Sequence, residues 1–326
     1  MEAISKSITT IAKSKKIRPF DVRRDLEQVA NLVEICFNDT LDIDSKGYLK
    51  RMRNAAKNNS LLRWATMVPE LVNLPLTGYV WQENDRLVGN ITLIPYFIRG
   101  QRFFLIANVA VHPDYRRHGI ARNLTYQAMK HAQVRGAPSI WLHVREENTT
   151  AVKIYQTLGF NERTRRTSWR SKINEDGNEI YNKELIQDLK VRYWKYHKAW
   201  LLSSYPPELS WHLPLDVNSL NPGLLGNINR FFHQKNILQW AVFQKMQLLG
   251  VLSWQATTSH ANALWLAVPR NADDCTVYTL LMHARRYAPS KHALMLEYPA
   301  HLFAEAIHRA GFSAQQTLIW MSYSFS

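Results

Sequence analysis

Residues 103–121 carry the pattern that most limits what this chain can fold into. A nearly all-apolar run from Phe103 to Val111 leads into His112-Pro113-Asp114-Tyr115. Then come Arg116-Arg117-His118-Gly119-Ile120-Ala121 and helical spacing as far as about Arg135. An apolar run of that length suits a strand covered on both faces. A glycine between such a strand and a helix lets the backbone approach a ligand closely. The start of a helix presents unpaired N–H groups and a partial positive charge. Arg116 and Arg117 add to that charge, so strand, loop and helix together make a site suited to phosphate. The six-residue loop alone is a weak signal, because glycine turns before helices are common.

The flanking sequence supplies a full α/β order. Ile17–Phe20 predicts a first strand. Leu26, Val29, Ala30, Val33 and Phe37 fall at helical spacing, with Asp21 as the cap. A more polar helix is predicted over 45–57. Strands are predicted over 79–82 and 87–98, separated by a turn at 83–85 and with Gly89 at a bulge. A buried strand over 139–144, a helix over 149–158 stopped by Gly159, and a strand from Phe160 toward Arg170 complete the series. The order is β-α-α-β-β-β-α-β-α-β.

Two stretches on these elements carry a family resemblance. Val109-Ala110-Val111-His112-Pro113 through Ala121 reads V-x-V-x-P-x-x-R-x-x-G-x-A. Downstream, Asn148, Ala151, Tyr155, Gly159 and Phe160 recur as N-x-x-A-x-x-x-Y-x-x-x-G-F. These resemble motifs A and B of the Gcn5-related N-acetyltransferases (GNAT), in the family's order and usual separation. The resemblance covers about residues 17–170. It implies acetyl-CoA as co-substrate, no metal, and direct attack of a primary amine through a tetrahedral intermediate. It implies that the strand ending at Val111 splays from the strand over 140–144, and that the pantetheine arm lies in the gap. Backbone groups of Val109, Ala110 and Val111 would hold that arm, with one N–H facing the thioester carbonyl. Backbone N–H groups from Arg117, His118, Gly119, Ile120 and Ala121 would hold the pyrophosphate, with Arg116 beside them. Asn148 would contact the pantetheine arm or the acceptor strand. Tyr155 would protonate the departing thiolate, a fair match for a phenol.

The general base is not legible. Some family members carry a glutamate on the strand before motif A. The nearest positions here are Leu105, Ile106, Ala107 and Asn108, and none can take a proton at neutral pH. His112, Glu34, Asp39 and Asp42 are the remaining candidates, none with a strong claim.

A faded repeat runs through the second half. Leu87-Val88-Gly89-Asn90-Ile91 resembles Leu248-Leu249-Gly250-Val251-Leu252, Ser139–Leu142 resembles Ala293–Leu296, and Leu158-Gly159-Phe160 resembles Ala310-Gly311-Phe312. The phosphate loop is replaced by Pro269-Arg270-Asn271-Ala272-Asp273-Asp274, with no glycine and two acids. Ile307 stands where the first copy has Tyr155, and Ala300 where it has Asn148. The fold class expected is therefore α/β with a mixed sheet, as tandem acyl-CoA N-acyltransferase (GNAT) folds. The expected divisions are a basic tail over 1–16, the acetyl-CoA-binding domain over 17–170, a linker with an amphipathic helix over 171–205, and a degenerate copy over 206–326. The helix is expected over 184–202, docking Leu189, Tyr193, Tyr196 and Trp200.

Composition bounds the partners. The 326 residues are 46% hydrophobic and 21% charged, enough apolar material for real cores. Cys36 and Cys275 lie far apart without a motif, which argues against a disulfide framework or zinc site. They read as small buried side chains in a cytoplasmic protein. No apolar run reaches the ~18 residues needed to span a membrane. The net charge is +15, and residues 1–170 hold 27 Lys/Arg against 15 Asp/Glu. A basic surface attracts coenzyme A, nucleic acid or acidic partners. Two alternatives to the enzyme follow. One is a non-catalytic acyl-CoA-binding or interaction protein. The other is an RNA- or ribosome-associated acetyltransferase. The acceptor amine, small molecule or protein, is not named by the sequence.

Overall fold

The computed structural model describes residues 16–38, 43–58, 77–171, 181–210, 213, 215–223, 236–257, 260–289 and 292–325. All of the expected tail but Lys16, most of the loop over 171–182, and the candidates Asp39 and Asp42 lie outside the described residues. The chain divides into two compact units, one of residues 1–163 with 319–326 and one of residues 164–318.

The first unit contains β1 (Ile17–Pro19), α1 (Val22–Phe37), α2 (Ile43–Ala56), β2 (Gly78–Glu83), β3 (Arg86–Ile98), β4 (Gln101–Val111), α3 (Ile120–Val134), β5 (Ser139–Arg145) and α4 (Thr149–Thr157). It also holds the start of β6 (Asn161–Ser171) and, from the far end of the sequence, the last residues of β12 (Phe312–Ser324). Asp21 caps α1, its side chain accepting from the Arg23 N–H. β1 to β4 pair antiparallel in sequence order, and β4 pairs parallel with β5. The strand beside β5 is β12.

Two cores lie on the two faces of this unit. Leu26, Val29, Leu49 and Met52 of α1 and α2 pack with Val80, Leu87 and Ala110. Leu124 and Ala128 of α3 and Tyr155 of α4 pack with Val88, Phe104, Ile106, Ile140, Leu142, Ile319 and Met321. Strand alternation sorts the side chains to these faces. A bulge opposite Trp81 breaks the alternation at Gly89, and a Cβ there would come within 2.8 Å of Ile120 Cγ2. The glycine therefore lets α3 sit close on the sheet.

The second unit repeats this order with β7 (Ile186–Gln187), α5 (Trp194–Ser204), α6 (Pro207–Ser210), β8 (Ile237–Gln244), β9 (Gln247–Gln255), β10 (Ala261–Ala267), α7 (Asp274–Tyr287), β11 (Ala293–Pro299) and α8 (Ala304–Arg309). β7 to β10 pair antiparallel and β10 pairs parallel with β11. Gly250 repeats Gly89 in detail. It stands beside a register shift in β8–β9, and a Cβ on it would come within 2.7 Å of Val268. The neighbour of β11 is β6, with Met295–Pro299 opposite Arg166–Arg170.

The compact units divide at Arg163, and Ile319–Ser326 belong to the first unit. The placing of β12 beside β5 and of β6 beside β11 joins distant residues and leaves no local trace. The helix expected over 184–202 is shorter. Residues 183–193 form 3-10 turns and β7, and α5 begins at Trp194. Leu189, Tyr193 and Trp200 pack against the second core as expected, but Tyr196 is exposed, and α5 itself buries His197, Leu201 and Ser204. Finally, Cys275 is exposed and Cys36 only half-buried, so neither is a core side chain.

Candidate functional site

The parallel pairing of β4 and β5 is confined to Phe104–Ile140, Leu105–Trp141 and Ile106–Leu142. Beyond it, Ala107–Val111 and His143–Arg145 separate. The cause lies on the other side of β4. Asn90 faces Ala110 but Thr92 faces Ala107, so one extra residue of β4 is accommodated opposite Ile91. Asn108 takes φ +49, a left-handed value that asparagine tolerates. Its carbonyl accepts from Asn90 Nδ2 at 2.9 Å, and its side chain bonds the Tyr48 phenol. A bulge pinned in this way bends the strand away from its neighbour. It leaves the backbone of Val109 and Val111 half-buried at the edge of a V-shaped gap, while Ala110 points into the α1/α2 core.

The end of β4 is tied down before the loop begins. The His112 N–H donates to Val88 O, and the Cys36 thiol donates to Val111 O at 3.2 Å. An Arg86 guanidinium N–H donates to His112 Nε2 at 2.8 Å, which leaves the Nδ1–H beside the Asp114 carboxylate at 3.6 Å. That positions it as a structural brace. Glu34 is ion-paired with Arg53. Both candidate bases are thus engaged within the chain.

Arg116, Arg117, His118 and Gly119 are exposed, and Ile120 is buried as the first residue of α3. Arg117 and Gly119 take φ +64 and +74. No side chain caps the N-terminus of α3. Its first-turn N–H groups and its dipole therefore face the loop unclaimed by any cap. A Cβ on Gly119 would meet only Asn123 Nδ2, at 3.9 Å, so the approach to these groups is open. The loop residues thus fit a pyrophosphate.

Tyr155 is buried on α4, its ring 6.0 Å from that of Phe160. Burial raises its phenol pKa, which keeps it protonated. Asn148 caps α4, Oδ1 accepting from the Ala151 N–H at 3.1 Å. Its side-chain oxygen is therefore engaged within the chain, and its Nδ2 is the remaining polar group.

The second unit has the same splay and a different filling. Pairing of β10 with β11 ends at Leu264–Leu296. Tyr205 bridges the strands past that point: its hydroxyl accepts the Leu266 N–H, and its ring lies 5.4 Å from Trp265 and 6.3 Å from Tyr298. The Arg166 guanidinium lies over the same ring and bonds Glu297 Oε1 at 2.8 Å and Ser204 O at 2.8 Å. Tyr205, Tyr298 and Arg166 are each buried to 3% exposure or less. The start of α7 is closed as well, since Asp273 caps it and accepts from the Thr276 N–H at 2.6 Å.

Sequence reasoning singled out Asn108 only as a position that cannot take a proton; it missed the roles of Asn90 and Tyr48 in pinning Asn108, and it missed the Tyr205–Arg166 filling. An asparagine late in a strand is a faint sign of a left-handed residue. Nothing local marks Tyr205, because its partners lie on β6, β10 and β11.

Residues 40–160 match the model of the acetyltransferase (GNAT) family. Over 62 residues the chain is 42% identical to the ribosomal protein bS18-alanine N-acetyltransferase of Escherichia coli strain K12, covering 19% of this chain and 42% of that relative. Over 52 residues it is 44% identical to the mycothiol acetyltransferase of Thermobifida fusca strain YX, 16% of each chain. The chain thus matches less than half the length of these curated relatives. In fold it is similar to a GCN5-related N-acetyltransferase from Sphaerobacter thermophilus, with TM-score 0.59 at 12% identity over 95% of this chain and 96% of that one. It is also similar to a tandem GNAT protein from the clavulanic acid biosynthesis pathway, with TM-score 0.50 at 15% identity over 94% and 98%.

Proposed function

We propose that the chain, whose residues 40–160 match the acetyltransferase (GNAT) family, transfers an acetyl group from acetyl-CoA to a primary amine. The first unit does the chemistry and the second keeps the fold without a cofactor site. The observation that carries this reading is the pinned splay of β4 from β5, which runs directly into the uncapped start of α3.

The residues divide the work. N–H groups from Arg117 to Ala121 hold the pyrophosphate, aided by the α3 dipole and the charge of Arg116. The free backbone edge of Val109–Val111 holds the pantetheine arm, and one of its N–H groups faces the thioester carbonyl, where charge develops during attack. Asn148 Nδ2 lies at the start of α4 on the same side. Tyr155 gives a proton to the departing sulfur, and burial keeps the phenol protonated until that step.

The Tyr205–Arg166 filling and the Asp273 cap support a second unit without acetyl-CoA. A pantetheine arm would have to displace a partly buried ion pair, and a phosphate would have to compete with a carboxylate already seated on the helix. The first half's positive charge suits coenzyme A as a ligand.

The acceptor is an amine whose identity the name of one relative suggests. The identity with a ribosomal protein alanine N-acetyltransferase supports a protein N-terminus as acceptor. The test is thiol release from acetyl-CoA by the full chain, against free amino acids, alanine-initiated peptides and polyamines. Release with one amine class, abolished in Gly119→Val, is the expected result. Tight acetyl-CoA binding with no release from any amine would leave a binding protein instead.

A further inference from the structure

We infer that His143 takes the proton lost by the acceptor amine, an assignment that rests on the acetyl transfer proposed above. Attack on a thioester requires an uncharged amine nitrogen, so a group beside the gap must receive a proton at neutral pH. Neither Ala107 nor Asn108 of β4 can. Tyr48, bonded to Asn108, is pushed by burial up to about 12 and keeps its proton.

His143 is the first residue of β5 beyond the last pair with β4, Ile106–Leu142. Its neighbours Leu142 and Val144 belong to the core beneath α3 and α4, which also contains Tyr155. Alternation along the strand therefore puts His143 on the opposite face. β12 gives the same answer independently. Ile319 and Met321 belong to that core, and Trp320 between them packs on the His143 ring with centroids 3.7 Å apart. Tyr155 and His143 thus lie on opposite faces of β5.

Trp320 is 1% exposed and gives the imidazole a fixed apolar wall. The charged groups on that side of the sheet include Arg145 two residues on, Arg163 bonded to Ser322 Oγ, Arg51 of α2 beside Tyr48, and Glu34 of α1, which is ion-paired with Arg53. Imidazole is the side chain that both accepts and releases a proton near pH 7. In the step, an N–H bond of the ammonium breaks and its proton passes to the neutral His143 ring. The amine nitrogen then forms the new N–C bond as the C–S bond breaks, its second proton leaves to water, and Tyr155 protonates the sulfur. His143 returns its proton to water, and the Tyr155 phenolate takes one from water. The net change is two protons lost from the ammonium nitrogen, one ending on the thiol and one released to solvent.

The experiment compares the full-length wild type with His143→Gln and His143→Ala across pH 5.5–10, using the thiol-release assay and amine panel above. In wild type, kcat/KM for the amine rises through an ionisation in the histidine range before the amine's own. In both variants that limb is lost, neutral-pH turnover falls roughly 10²-fold, and the affinity for acetyl-CoA holds. Near pH 10, where free amine is abundant, the gap to wild type narrows. A His143→Gln enzyme that binds acetyl-CoA and keeps the wild-type pH profile within twofold overturns the assignment while leaving acetyl transfer intact. Absence of wild-type release with every amine overturns both.

Discussion

The hydroxyl of Tyr205 accepts the backbone N–H of Leu266 at 3.3 Å, across a splay between β10 and β11 that matches the one left open between β4 and β5. One bulky side chain therefore separates a strand gap that is filled from one that is available. Tyr205→Phe leaves the Leu266 N–H buried without that partner and is expected to cost about 1–3 kcal/mol, read as a lower urea midpoint. Thiol release by the first unit should continue. In calorimetry the wild type and Tyr205→Phe should each bind one acetyl-CoA per chain. Two sites in wild type would contradict the closed second unit.

Gly119 tests the phosphate loop through the backbone. Its φ of +74 disfavours any side chain, although space for a Cβ is open. Holding a β-branched residue there costs about 1–2 kcal/mol, so Gly119→Val should shift the loop instead of breaking the core. Affinity for acetyl-CoA should fall at least about tenfold, the equivalent of ~1.4 kcal/mol. The melting temperature should change little, and calorimetric titration reads the affinity.

Tyr155→Phe removes one oxygen from a buried, well-packed ring. With its role as proton donor to sulfur, kcat should fall about 10²-fold or more, while acetyl-CoA affinity stays near wild type. Unchanged turnover would remove Tyr155 from the chemistry and leave it a core aromatic.

His131 predicts an acid limb in stability. Burial lowers its pKa to about 4, with Arg135 adding to the effect, and its Nδ1 is bonded to the Tyr79 hydroxyl at 2.9 Å. The unfolded chain binds a proton at this position near pH 6.5, but the folded chain does so only near 4. Stability from this group is therefore full above about pH 6.5 and declines as pH falls toward 4. His131→Gln, which cannot take that proton, should flatten the slope of the urea midpoint between those values.

Trp320 tests the strand that returns from the end of the sequence. Ile319, Trp320 and Met321 are buried in the first unit to 3% exposure or less. A chain ending at Leu318 keeps every residue of the phosphate loop but exposes the edge of β5 and empties three core positions. Loss of several buried side chains at about 2–5 kcal/mol each exceeds the stability of an ordinary domain. Acetyl-CoA binding should disappear, as seen by calorimetry.

Local chemistry was legible in the sequence. Gly119 between an apolar strand and a helix, Asp21 before α1, and Gly159 after α4 each act through the few residues around them, and the structure places strand, loop and helix as the pattern implies. The order of elements in the first unit and the family resemblance rest on the same short-range periodicities. The repeated glycine at 89 and 250 carried a real signal, because both allow a helix to approach a strand closely.

What the tertiary structure decided depends on residues far apart in the chain. The neighbour of β5 comes from residues near 320, and the neighbour of β11 comes from residues near 168. The filling of the second splay joins Arg166, Tyr205, Leu266 and Glu297. His143 gains its meaning only when alternation on β5 and on β12 puts it against Trp320, opposite Tyr155. Helix caps and turns are settled by hydrogen bonds within a few residues, so sequence suffices to read them. Strand partners and gap fillings are settled by which surfaces the whole fold buries together, and no local pattern specifies that choice.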